Sequence, residues 1–157
     1  MAGRTSTTIS VSVNGTASNG QLVSIASFAP GIFTTNASGT GQGAILIANT
    51  SQLAAPGTPV LRGAYIAIFC TGLGIVTNQP ATGAAAPSSP LAFTGTQPTV
   101  SIGGVQSLVT YSGLAPTLVG LYQVNVLVPS DVVPGNAVPV ILSIGGAVSN
   151  AVTIAVQ

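Results

Sequence analysis

The strongest constraint on this chain is a run of alternating apolar and polar residues that is interrupted once, by Gly145-Gly146. Before the glycines, Val140, Leu142 and Ile144 occupy every second position, and after them Val148, Val152, Ile154 and Val156 form the apolar side of the alternation. A period of two is typical of a β-strand with one buried face, because successive side chains point to opposite sides. Two glycines supply the positive φ angles of a two-residue turn. The pattern therefore predicts a β-hairpin over residues 138–156.

The same hairpin pattern occurs three times. Ser-Ile-Gly-Gly at residues 101–104 repeats residues 143–146, and Ser-Val-Asn-Gly at residues 12–15 is a third version. Asn-Gly is the strongest short signal for a type I′ turn between two strands. We therefore expect a hairpin at the start, in the middle and at the end of the chain.

Short strands with frequent turns account for the rest of the 157 residues, which include 20 Gly and 11 Pro. Residues 64–70 are predicted to form a buried central strand, and residues 105–111 the second strand of the middle hairpin. Residues 76–97 are predicted as a long loop and residues 129–139 as a turn region. About nine strands and little or no helix are expected, which indicates an all-β, immunoglobulin-like antiparallel sandwich.

Charge is almost absent from the chain. Only 2% of the residues are charged, namely Arg4, Arg62 and Asp131, and there is no His. Nucleic acid is not expected as a partner, because neutralising phosphates requires clustered Lys and Arg. With so little electrostatic repulsion between copies, we expect a homo-oligomer or polymer. A surface of Ser, Thr, Asn, Gln, Gly and Ala is typical of secreted structural and adhesive proteins.

The same scarcity argues against an enzyme. With Asp131 as the single carboxylate side chain and no His, the chain lacks a carboxylate pair, a Ser-His-Asp arrangement and a zinc ligand set. We therefore predict no catalytic residues, no cofactor and no metal. Cys70 is the only cysteine and lies in an apolar run, so it is expected to be a buried, inert thiol.

No transmembrane segment is predicted, because the longest nearly apolar run, residues 63–76, is shorter than the roughly 20 residues of a membrane-spanning helix. The first four residues, Met-Ala-Gly-Arg, lack the apolar core of a signal peptide. If the protein is secreted, a signal has been removed or the numbering begins inside a longer precursor. The expected organisation is a hairpin arm over residues 1–27, followed by a sandwich domain over residues 28–157.

Five short segments, taken together and in this order, resemble a known family. They are Ala-Pro-Gly-Ile-Phe-Thr (29–34), Gly-Thr-Gly-Gln-Gly-Ala (39–44), Thr-Gly-Leu-Gly (71–74), Tyr-Gln-Val-Asn-Val (122–126) with Val-Pro (128–129), and Pro-Gly-Asn-Ala-Val-Pro-Val (134–140). The set is similar to the uncharacterised Solibacter-type C-terminal domain of large secreted acidobacterial proteins. The resemblance spans residues 9–156 and implies an extracellular or cell-surface, immunoglobulin-like module. It brings no catalytic or binding residues, and family members usually carry more charge than this chain.

The N-terminal hairpin, residues 7–27, resembles the final hairpin and allows two interpretations. It either supplies the first two strands of this sandwich or pairs with an exposed edge on a neighbouring subunit. In the second case the inter-subunit strand would contain Thr7, Ile9, Val11 and Val13. Strand addition of this kind is a head-to-tail contact, which builds filaments when it does not close into a ring.

The sequence thus predicts a non-enzymatic extracellular structural protein, a β-sandwich subunit that self-associates into a cell-surface filament or matrix. The alternative is a glycan-binding or adhesion module of a large secreted protein. In that case Tyr65, Tyr111 and Tyr122 would stack on surface glycans, with a groove near the loop at residues 76–97. A tyrosine in a sandwich strand also commonly packs with its hydroxyl at the rim, so both interpretations stay open.

Overall fold

The computed structural model describes residues 4–157, and within this range the chain forms fourteen strands and no helix. Residues 1–3, with which the predicted hairpin arm begins, lie outside the described residues. The strands are β1 Ser6–Ile9, β2 Ser12–Val13, β3 Thr16–Ala17, β4 Gln21–Ser24, β5 Gly31–Ile32, β6 Ile45–Ile47, β7 Tyr65–Thr71, β8 Thr99–Ile102, β9 Val105–Ser107, β10 Val109–Leu114, β11 Tyr122–Leu127, β12 Gly135–Ile144, β13 Ala147–Val148 and β14 Val152–Val156. Among residues 4–157, no helix is long and apolar enough to cross a membrane.

The all-β prediction is confirmed, but the predicted count of nine strands is wrong. Short breaks in the ladder divide several of the expected strands without changing the alternation. The strand expected to contain Thr7, Ile9, Val11 and Val13, for instance, is divided at Ser10 and Val11 into β1 and β2. Alternation reports which side a residue faces and does not report whether its backbone is paired.

Two five-stranded antiparallel sheets form the body of the molecule. In the first sheet, β11 lies between β10 and β7, and β5 and β6 both pair with β7. In the second sheet, β12 pairs with β13 and β14 on one edge and with β8 on the other, and β9 lies beyond β8. Neither sheet closes on itself. The arrangement is sandwich-like, because both sheets turn their apolar faces to one core.

The final hairpin supplies much of that core. Val140, Leu142 and Ile144 are buried, as their alternation predicts. After the turn, Val152, Ile154 and Val156 are buried as well. Val148 was expected on the same inward face but is exposed, because residues 149–151 break the return strand into β13 and β14.

The chain crosses from one sheet to the other at Leu108. The prediction of one strand over residues 105–111 is therefore wrong: β9 ends in the second sheet at Ser107, and β10 begins in the first sheet at Val109. Leu108 is exposed at the crossing. The crossing could not be predicted from the sequence pattern, because the strands of both sheets have the same period of two and the alternation continues on both sides of Leu108. The predicted turn region is also too long, because β12 already begins at Gly135.

Two isoleucines provide a matched test of the core. Ile68, on the central strand β7, is fully buried, whereas Ile75 is 69% exposed. We expect Ile68→Ala to lower the free energy of unfolding by about 2–5 kcal/mol, because it leaves a cavity between the sheets. Ile75→Ala should change it by less than about 0.5 kcal/mol. Urea denaturation followed by circular dichroism measures both; equal losses would show that β7 is not central to the core.

Candidate interaction site

The N-terminal arm, defined as residues 4–27, lies outside both sheets. Its strand β1 pairs with β4 and its strand β2 pairs with β3, which makes a ribbon of two strands. The chain enters the sandwich at Phe28, which packs against the core, and Ala29 N donates to Gly72 O at 2.9 Å. The arm is thus attached to the body at one end.

One face of the arm is apolar and exposed. Of the predicted inter-subunit residues, Ile9, Val11 and Val13 are 52%, 62% and 64% exposed, and Thr7 is half-buried. A two-stranded ribbon is at best marginally stable in water, and a contiguous exposed apolar patch commonly marks an interaction surface. The arm therefore has the properties of an element that another surface would cover.

The arm repeats the closing hairpin, which is defined as residues 138–156. In this structure the rest of the sandwich covers the inward face of the closing hairpin. Arm residues 7–25 each correspond to the residue 131 positions further along, as Ser12 does to Ser143. Five of the six register pairs of the arm have a counterpart in the closing hairpin, and Ser6 with Ser24 has none because the register of β12 with β14 shifts between Gly135 and Val138. The matching arm pairs are Thr7 with Val23, Thr8 with Leu22, Ile9 with Gln21, Ser12 with Ala17 and Val13 with Thr16. Their counterparts, in the same order, are Val138 with Ile154, Pro139 with Thr153, Val140 with Val152, Ser143 with Val148 and Ile144 with Ala147.

The two turns agree as well. Asn14 and Gly15 have φ angles of 50° and 81°, and Gly145 and Gly146 have φ angles of 55° and 83°. Positive φ at both central residues is the type I′ geometry, which matches the right-handed twist of the flanking strands. The predicted turns at both ends of the chain are confirmed.

A serine after each turn makes the same three hydrogen bonds. In the arm, Ser18 N donates to Val11 O at 2.8 Å, Val11 N donates to Ser18 Oγ at 3.1 Å, and Ser18 Oγ donates to the Asn19 carbonyl at 3.1 Å. In the closing hairpin, Ser149 makes the corresponding bonds to Leu142 and Asn150 at 2.8, 3.0 and 2.8 Å. Each serine hydroxyl thereby holds the two strands together where the ladder is interrupted.

The asparagine that follows the serine distinguishes the two ribbons. Asn150 Oδ1 accepts from Ile32 N at 2.8 Å, and its Nδ2 donates to Ile32 O at 3.0 Å and Gly39 O at 2.7 Å. These bonds tie the closing hairpin to β5 and the loop after it. Asn19 occupies the same place in the arm, is exposed, and makes no such side-chain bond within residues 4–157. The repeated Ser-Asn after each turn was the sequence signal for this residue pair.

The three tyrosines considered for glycan contact do not form one platform. Tyr65 pairs with Leu127 and Tyr122 pairs with Cys70, so the two lie at opposite ends of β7, roughly 17 Å apart at the usual rise per strand residue. The Tyr122 hydroxyl donates to the Gly74 carbonyl. Within residues 4–157, neither Tyr65 nor Tyr122 forms an aromatic pair.

Tyr111 has a different environment. Its hydroxyl donates to Leu114 O at 2.6 Å, and its ring lies edge-on to Phe93 with 5.5 Å between the ring centroids. The pair lies in a shallow depression of about 170 Å³, lined also by Thr94, Gln97, Thr110 and Ser112. Phe93 and Thr94 belong to the predicted loop at residues 76–97, so this loop does contribute to an aromatic and polar surface.

Cys70 is buried, as predicted, and burial raises the pKa of its thiol from 9.0 to about 12. Burial also raises the pKa of Tyr122, and its register partner Cys70 raises it further. A thiol with so high a pKa stays protonated at neutral pH and is a poor nucleophile. Within residues 4–157, no three His, Cys, Asp or Glu side chains lie together as a metal-binding group.

Asn150 and Asn19 form a matched pair of substitutions. Asn150→Ala should lower the free energy of unfolding by about 1–3 kcal/mol, because it leaves backbone groups of Ile32 and Gly39 without their partner. Asn19→Ala should leave the stability of the isolated chain unchanged. Chemical denaturation of both variants provides the measurement. An equal loss for Asn19→Ala would mean that the arm is already anchored within its own chain.

The Cys70 thiol predicts a loss of stability at high pH. Its pKa is higher in the folded chain than the 9.0 of an unburied thiol, so the folded chain holds the proton more tightly. Stability should therefore be constant below about pH 9 and fall as the pH rises towards 12. The Cys70→Ala variant, which retains the tyrosines, should lose less stability over this window. Urea titrations at several pH values test this, and parallel curves for both chains would contradict it.

No family model matches this chain, and no curated protein and no solved structure was found that matches it. The resemblance to the Solibacter-type domain stays a prediction.

Proposed function

We propose that this chain is a non-enzymatic extracellular structural protein, a β-sandwich subunit of immunoglobulin-like type that assembles with sandwiches of its own kind into a cell-surface filament or matrix. The N-terminal arm is the element that joins one subunit to the next. The observation that carries the proposal is that the arm is a well-formed amphipathic ribbon outside both sheets, with Ile9, Val11 and Val13 exposed.

Burial of the apolar face supplies the driving force for this contact. Complete burial of a side chain such as Ile or Val is worth about 1.5–3 kcal/mol, and the arm presents several of them on one side. The edges of the ribbon add unpaired backbone groups, which can extend a sheet on another subunit. Both contributions are available only when a second surface meets the arm.

The lack of charge supports assembly as well. Proteins usually protect exposed strand edges with Lys or other charged side chains. Among residues 4–27 of this chain, Arg4 is the only charged side chain, and it lies before β1. The contact is therefore expected to depend little on salt, since screening acts on charges and not on apolar burial.

The extracellular location is supported by composition and by the family resemblance. The charge-poor surface of Ser, Thr, Asn and Gly is typical of secreted structural proteins, and the resemblance implies a module of large surface proteins. The single cysteine is compatible with this location, because a core shared by two five-stranded sheets does not require disulfides for stability.

The two faces of the arm allow a matched test. The triple variant Ile9→Ser, Val11→Ser, Val13→Ser removes the apolar face, and the control variant Thr8→Ala, Ser10→Ala, Ser12→Ala alters the opposite face. We expect the unmodified chain and the control to show concentration-dependent association in sedimentation velocity, and filaments or tubes in negative-stain electron microscopy. The Ser variant and a chain of residues 28–157 should remain monomeric.

Two results would contradict the proposal. A monomeric unmodified chain at millimolar concentration would exclude self-association by the arm. Association that persists in the chain of residues 28–157 would place the contact elsewhere on the sandwich.

A glycan-binding or adhesion module is the second candidate, and the Phe93–Tyr111 depression favours it. Aromatic rings beside amide and hydroxyl groups suit the apolar face and hydroxyls of a sugar. Glycan-array binding that is lost in Tyr111→Ala but retained in Tyr65→Ala would support this function.

A further inference from the structure

We propose that the arm is a second closing hairpin, and that its partner is a β-sandwich of this same fold whose own closing hairpin is missing. The inference rests on the proposed function in taking the arm as the contact element, and it goes further by naming the surface that the arm covers. That surface is visible in this structure, because the closing hairpin covers it here.

The acceptor site is defined by the neighbours of the closing hairpin. On one edge, β12 pairs with β8, for example Leu142 with Val100. On the other edge, residues 41–43, Ala54 and Val60 run beside β14. The inward face covers the shared core, and Asn150 is bonded to Ile32 and Gly39. An incoming ribbon would therefore pair along both of its edges and bury one face. Its asparagine amide would bond to the backbone groups at the positions of Ile32 and Gly39.

The arm has the groups that this site requires. On the outer edge of β14, Thr153 exchanges hydrogen bonds with Gly41 and Gly43 at 2.7 and 2.9 Å, and Ala155 N donates to Ala54 O at 2.9 Å. The corresponding arm residues are Leu22 and Ser24, whose N–H groups have no partner within residues 4–157.

The side chains agree with the same assignment. Ile9, Val11, Val13, Val23 and Ile25 stand where the closing hairpin has Val140, Leu142, Ile144, Ile154 and Val156, and all five of the latter are buried. Asn19 is placed to bond the partner's counterparts of Ile32 and Gly39, as Asn150 does here. A shift of one residue would turn the serines inward, so the correspondence fixes the register as well as the site.

A complete copy of this chain is a poor acceptor at this site, so association between complete chains is limited to the apolar face and open edges of the arm and does not displace the closing hairpin. Its site is filled by a tethered hairpin, which has a concentration advantage over any arm from another molecule. That hairpin also places Val138 and Val152 where the arm has Thr7 and Gln21. Finally, a Cβ atom at Gly145 would lie 2.3 Å from the Phe28 ring, and the arm has Asn14 at that position. The partner therefore lacks the closing hairpin and has a smaller residue than Phe at this place.

A full-length chimera tests whether the arm sequence can close a sandwich. Residues 138–144, 147–151 and 153–156 are replaced by residues 7–13, 16–20 and 22–25, while Gly145 and Val152 are retained to avoid the Phe28 clash and a buried Gln. We expect a folded chain that melts cooperatively, at a lower temperature than the unmodified chain. The control inserts residues 6–12 in place of 7–13, which turns Ser and Thr inward, and should not fold.

A milder chimera exchanges only residues 147–151 and 153–156, so that destabilisation alone does not decide the result. If neither chimera melts above the register-shifted control, the arm is not a closing hairpin and the inference is wrong.

Binding between molecules is tested with a fluorescent peptide of residues 4–27 carrying Asn14→Gly, which fits beside Phe28. The acceptor is the full-length chain with Asn150→Ala and Ile154→Ala, which loosens its closing hairpin, and the unmodified chain is the control. We expect saturable binding to the loosened chain, little binding to the control, and a roughly tenfold loss with Asn19→Ala in the peptide. Equal binding to both chains, or binding to neither, would overturn the inference.

The two proposals can fail separately. Self-association of the unmodified chain, together with a peptide that does not prefer the loosened chain, would support the proposed function and overturn this inference. A peptide that closes the loosened chain, while unmodified chains stay monomeric, would support the inference and overturn arm-driven self-association.

Discussion

The structure depends on the contact that the closing hairpin makes with the rest of the sandwich. Its inward side chains fill the space between the two sheets, and its two edges pair with β8 and with residues 41–60. Asn150 joins it to β5 and so links the second sheet to the first. The bonds from Asn150 to Ile32 and Gly39 join residues that are 118 and 111 positions apart in sequence. Such contacts form only when distant parts of the chain come together.

The arm has the same hairpin pattern, but among residues 4–157 neither five-stranded sheet includes its strands. Its register, turn and serine bridge are those of the closing hairpin, so local interactions are sufficient to define the ribbon. They are not sufficient to bury it. The apolar face of an amphipathic ribbon stays in contact with water, and its burial against a second surface would be favourable. This is the physical basis for the proposed role in assembly.

The scarcity of charge has two consequences that reinforce each other. It removes the side chains on which most catalytic and metal chemistry depends, and it removes the protection that strand edges usually have. The titratable groups that remain are few, and the thiol among them is buried between the sheets. Both consequences are in line with the proposed structural role.

Sequence reasoning identified the all-β class, the type I′ turns, the inward face of the closing hairpin except at Val148, and the buried thiol, because each depends on neighbouring residues and on a period of two. It did not identify the crossing at Leu108, the early start of β12 or the division into fourteen strands. In those places the alternation is the same on either side of a break, so the pattern contains no information about the pairing partner.

The candidate site divides in the same way. The sequence by itself determined that residues 7–27 form an amphipathic hairpin resembling the last one, since turn chemistry and alternation are local. Only the tertiary structure decided that one copy is buried and the other exposed, and that the Asn150 side chain is bonded while the Asn19 side chain is exposed and makes no such bond within residues 4–157. Burial requires a second surface, and the position of that surface is set by long-range packing that a local pattern does not encode.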